Sequence, residues 1–84
     1  MTRQQIIDVC EKYNNFLINF GIIESIREND NPESLRHIKW MVEEIPKLLD
    51  ADKIEKANRW LGFVQGVFWS KKLLSIEELK DDNR

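Results

Sequence analysis

The chain is 84 residues long, 42% hydrophobic and 33% charged, with a formal net charge of −2. That balance suits one soluble helical domain (1–84) and argues against a duplex nucleic-acid binder, whose affinity would rest on cations meeting phosphates. No stretch approaches the roughly 20 apolar residues of a membrane span, the start lacks the apolar core of a secretory signal, and the single cysteine rules out an internal disulfide and fits a reducing cytoplasm.

Thr2 followed by Gln5 reads as a capping box, and Ile6, Val9, Cys10, Tyr13, Phe16, Leu17 and Phe20 then recur at helical steps. Gly21 supplies a terminator able to take positive φ, so the first helix is expected over about 3–20. Ile22, Ile23 and Ile26 suggest one further short turn, broken by Glu28-Asn29-Asp30-Asn31. Asn31-Pro32 is a start signal, with Asn31 as cap and proline in the first helical position. A second helix is therefore expected over about 32–49, its stripe carried by Leu35, Ile38, Met41, Val42, Ile45, Leu48 and Leu49. Pro46 falls inside that stripe and is expected to kink the helix, or else to break it.

Asp50 or Asp52 is the expected cap of a third helix over about 53–72, and Ser75 with Glu78 opens a short terminal helix over about 76–81. Asp81 to Arg84 is expected to fray. The fold class is all-α: a compact bundle of three main helices plus a short C-terminal one. A core this small makes a homo-oligomer a reasonable expectation, because association buries more apolar surface.

The third helix is the unusual one. On a wheel at about 100° per residue, Ile54, Ala57, Leu61, Val64 and Phe68 form a core face, and Trp60, Phe63 and Val67 widen the apolar arc. Such a helix is expected to be central and contacted on most sides. Gly62 and Gly66 share the remaining strip with Glu55, Asn58, Arg59, Gln65, Trp69 and Ser70. Each glycine costs a helix about 1 kcal/mol relative to alanine, so a use for the missing side chains is expected.

Three uses are open: close approach of another helix of the chain, a twofold interface with a second copy, or a groove for a small anionic or nucleobase ligand. In the ligand reading Arg59 and Lys56 meet phosphates, Trp69 stacks a base, and Asn58 and Gln65 read polar edges. Trp40 lies off the stripe of the second helix, in phase with Arg36 and Lys47. It is either covered by another element or subunit, or an exposed aromatic platform with Arg36 beside it. Tyr13 is a core residue whose hydroxyl needs a partner, and otherwise a ligand contact. His37 reads as a solvated or capping histidine and Cys10 as a small core residue, so neither a metal nor a cofactor is expected. No nucleophile triad or phosphate loop is present, and an enzyme is not expected.

The run Lys56-Ala57-Asn58-Arg59-Trp60-Leu61-Gly62-Phe63-Val64-Gln65-Gly66-Val67-Phe68-Trp69, with Ser75-Ile76-Glu77-Glu78-Leu79 after it, resembles a pattern among small accessory proteins of tailed bacteriophages. The resemblance covers the C-terminal third. Phage proteins of this size include oligomeric anti-defence sponges that sequester the cyclic nucleotide signals of CBASS or Thoeris immunity. The resemblance thus implies a non-enzymatic cyclic-nucleotide binder in the cytoplasm of an infected cell. The alternative is a protein–protein inhibitor or adaptor acting on a host or phage protein.

Overall fold

A computed structural model describes all residues 1–84: four helices, α1 (Arg3–Asn19), α2 (Leu35–Asp50), α3 (Ile54–Ser70) and α4 (Ile76–Asp82), with no strand. The capping box of α1 forms as its residues require: Thr2 Oγ1 accepts from the Gln5 N–H at 3.1 Å, and Gln5 Oε1 accepts from the Thr2 N–H at 2.7 Å. Ser75 and Glu78 repeat it at the start of α4.

Three helices end in one hydrogen-bonded motif. In α1 the Ile22 N–H reaches the Leu17 carbonyl and the Gly21 N–H the Ile18 carbonyl, with Gly21 at φ 104°. The same pair of hydrogen bonds closes α2, from the Lys53 N–H to Leu48 and the Asp52 N–H to Leu49, and α3, from the Leu73 N–H to Phe68 and the Lys72 N–H to Trp69. Asp52 (φ 61°) and Lys72 (φ 59°) occupy the left-handed position that Gly21 fills in α1. That explains one correction to the sequence reading. Asp52 cannot cap α3, because its backbone is committed to ending α2; its carboxylate instead meets Arg3 at 2.6 Å. Lys53 holds the cap position, and α3 starts with no side-chain cap.

α2 also begins later than expected. Asn31-Pro32 lies in a turn, and Ser34 is the cap, its Oγ accepting from the His37 N–H at 3.1 Å. The helix continues through Pro46 to Asp50 and does not break there. Residues 22–28 form no helical turn; they run as an irregular strap beside the start of α2. The Ile26 N–H donates to the Arg36 carbonyl at 3.2 Å, and the Glu28 N–H donates to His37 Nδ1 at 2.9 Å.

α2 packs along both α1 and α3. It buries Ile38, Met41, Val42, Ile45 and Leu49, together with His37 and Lys39, so α2 and not α3 is the helix contacted on most sides. α1 contributes Ile6, Val9, Cys10, Tyr13 and Leu17; α3 contributes Ala57, Leu61, Val64, Val67 and Phe68. Phe68 joins α3 to α1 through edge-on contacts with Tyr13 (5.1 Å) and Phe16 (5.6 Å). Ile54, expected in the core, is exposed in the first turn of α3, and Phe20 is exposed at the end of α1.

The C-terminal residues are tied to the body of the bundle. Asp82, its side chain only 5% exposed, accepts from Tyr13 Oη at 2.7 Å and Lys12 Nζ at 2.5 Å. Gln65 Nε2 donates to Tyr13 Oη at 3.0 Å and to Asn83 Oδ1 at 2.9 Å. This cluster ties α4 to α1 and α3.

Candidate interaction surface

The exposed side of α3 carries Glu55, Asn58, Arg59, Gly62, Phe63, Gly66, Trp69 and Ser70. Within the chain, a Cβ built on Gly62 or Gly66 would meet nothing within 4 Å. The glycines therefore make no room for another helix of the same chain. Their strip is bare, bordered by Phe63 (40% exposed) and Trp69 (54% exposed). Phe63, like Ile54, lies outside the core that the sequence suggested for it, where it was expected to widen the buried arc. It sits only about 100° around the wheel from Gly62, and no neighbouring helix covers that side.

Several expected ligand contacts are engaged elsewhere. Gln65 and Tyr13 are joined to each other and to the C-terminus, and Tyr13 is fully buried. Burial first, then its bond to Asp82, pushes the Tyr13 hydroxyl well above its ordinary titration range. Trp40 is no exposed platform. It is half-buried between His37 (5.4 Å) and Trp60 (5.5 Å), with the Arg27 guanidinium of the strap 5.3 Å over its ring. Arg36 is exposed but borders a separate open hollow with Gly21, Ile22, Ile23 and Glu24.

Arg59 and Trp69 remain free, yet ten residues of helix separate them by about 15 Å along the axis, too far for one monomeric pocket. Arg59 instead shares an open hollow of about 490 Å³ with Asp52, Lys53, Ile54, Glu55 and Lys56 at the start of α3. The Lys56 ammonium lies 5.3 Å over the Trp60 ring. Trp40, proposed from the sequence both as ligand contact and as interface, lies away from the Gly62–Gly66 strip.

The other titratable groups have internal uses. Burial lowers the His37 pKa below its ordinary 6.5, with Glu28 raising it and Arg27 lowering it, and the ring Nδ1 accepts the Glu28 N–H. Burial raises the Glu43 carboxyl, but hydrogen bonds from Lys39 (2.7 Å) and Ser25 outweigh it and hold the pKa below normal. Burial pushes the Cys10 thiol up to about 12, which leaves it unreactive near neutral pH. No three side chains among His, Cys, Asp and Glu converge as a metal site, and no helix is long and apolar enough to cross a membrane.

Comparison with protein-family models, with curated proteins and with solved structures gives no match.

Proposed function

We propose that the chain is a non-enzymatic binding protein that presents the exposed side of α3 to another polypeptide, as an adaptor or inhibitor. One observation carries this reading: Gly62 and Gly66 lie bare between exposed Phe63 and Trp69, on a helix whose opposite side is fully packed. Exposed aromatics beside a backbone open to close approach are what a docking helix needs. A photo-crosslinking residue placed at Gly66, in cells that produce the protein, tests it. Covalent adducts to a polypeptide, lost when Trp69→Ser is added, are expected; an adduct-free result would sink the reading.

A second reading, sequestration of a cyclic nucleotide in the cytoplasm of an infected cell, has its own support. Lys53, Lys56 and Arg59 stand with Asp52 and Glu55 around the uncapped N-terminus of α3, where backbone N–H groups and the helix dipole favour phosphate. The likeness of the C-terminal third to phage accessory proteins points the same way. Titration with cyclic di- and trinucleotides should show binding that Arg59→Ala abolishes. Absence of binding at micromolar concentrations would remove this reading and leave the first intact.

A further inference from the structure

The exposed side of α3 carries a residue pattern that is symmetric about its centre. Glu55, Arg59, Gly62, Gly66 and Trp69 follow one another at alternating steps of four and three residues, the spacing of a two-helix seam, with glycines in place of large apolar residues at its centre. Arg59 stands three residues before Gly62, and Trp69 stands three residues after Gly66. The seam is therefore complementary to its own reverse. Neither Glu55 nor Arg59 has an ion-pair partner within the chain, as is also true of Arg27, Arg36, Lys53, Lys56, Lys71 and Lys72.

We infer that the occupant of this face is a second copy of the chain, with the two α3 helices antiparallel across a twofold axis between Gly62 and Gly66. The inference rests on the docking reading above and names its partner. In this register Gly62 of each copy lies level with Gly66 of the other, so the backbones approach closely at the centre. On either side Arg59 of one copy lies level with Trp69 of the other. The guanidinium can cover the indole face, and both pairs form at once because the interface is isologous. Phe63 flanks the glycine layer on each copy and comes near its own counterpart across the axis. A parallel pairing would set Arg59 against Arg59 and Glu55 against Glu55, opposing like charges. The charges thus select the antiparallel arrangement. Trp69 of a second copy also supplies the aromatic that no single chain places near Arg59.

The purified full chain, studied by sedimentation equilibrium from micromolar to near-millimolar concentration, should show a monomer–dimer equilibrium. Gly66→Gln should abolish the dimer while the helical circular dichroism is retained, since position 66 is open in the monomer. Arg59→Ala and Trp69→Ala should each weaken dimerisation by about tenfold, and together by scarcely more than either alone, because each removes the same contact. Gly62→Cys mixed with Gly66→Cys should yield a disulfide-linked pair more readily than either variant alone; Cys10 is buried and stays out of the exchange. A monomer at every concentration overturns the inference, as does a dimer indifferent to Gly66→Gln or preferential cross-linking of Gly62→Cys to itself. The photo-crosslinking arm separates the two failures. Adducts at twice the 10.1 kDa chain mass support self-pairing. Adducts of other masses alone overturn it and keep the docking reading, and no adducts at all defeat both.

Discussion

α2 and α3 are nearly equal in length, 16 and 17 residues, and α3 is the more apolar, yet they stand in opposite relation to the rest of the chain. α2 is polar enough to carry Arg36, His37, Lys39, Glu43, Glu44 and Lys47, and it buries seven residues, His37 and Lys39 among them. α1, α3 and the strap of residues 22–28 enclose it. α3 buries five and leaves a glycine-lined side with two aromatics in solvent. Apolar content thus does not rank helices by centrality in so small a bundle. What decides is how many neighbours the loops can bring, and the apolar surplus on α3 is surface that the monomer leaves uncovered.

The sharpest way to break this contrast is to truncate one side chain on each helix. Ile45→Ala, at a fully buried position of α2, should cost about 2–5 kcal/mol by thermal or urea denaturation. Phe63→Ala on the bare side of α3, measured in dilute protein, should stay within about 1 kcal/mol. Equal losses would mean that α3 has no free side.

Next in size is the polar cluster that ties α4 down. Tyr13→Phe removes the hydroxyl joining Asp82 and Gln65 and leaves a buried carboxylate with one donor fewer, at a cost of about 1–3 kcal/mol. Amide exchange in α4 should quicken more than exchange in α2; uniform quickening would show that the cluster does not hold α4 in particular.

A pH series probes the strap on α2. The folded His37 pKa is lowered, so the unfolded chain binds this proton more readily. The stability His37 contributes is present above 6.5 and is lost as pH falls below that value. Glu43, also lowered, loses its contribution only below 4.5. His37→Gln should flatten the upper part of the profile and leave the lower part in place. An unchanged upper limb would assign that pH dependence to another group.

The smallest expected effect changes sign with the assay. Gly66→Ala should raise monomer stability by about 0.5–1 kcal/mol, because alanine is the better helix former and nothing obstructs its methyl. The same change should weaken any close helix contact at that position. Destabilisation of the dilute monomer would mean that the strip is covered within the chain.

Much of the fold was legible because it is local. Thr2 with Gln5, Ser75 with Glu78 and Gly21 each act within one helical turn, and each does what its residue type requires. The ends of α2 and α3 were not legible, because Asp52 and Lys72 hold left-handed positions that their residue types do not announce. Asn31-Pro32 was a sound start signal displaced by Ser34, which caps the His37 N–H three residues later. Of the candidate site, the wheel placed Gly62, Gly66, Asn58, Arg59 and Trp69 together on one side. It could not show that Gln65 and Tyr13 are held by the C-terminus, or that Trp40 is covered by Trp60 and Arg27.

By itself, then, the sequence determined four helices, most of the side chains in their core and the narrow glycine strip on α3, because helical periodicity and capping act between residues a few positions apart. Only the tertiary structure decided that α2 is central, that the C-terminus is tied down and that the strip faces solvent. Those depend on which helix faces the loops bring together, and that is settled by burial summed over the whole chain.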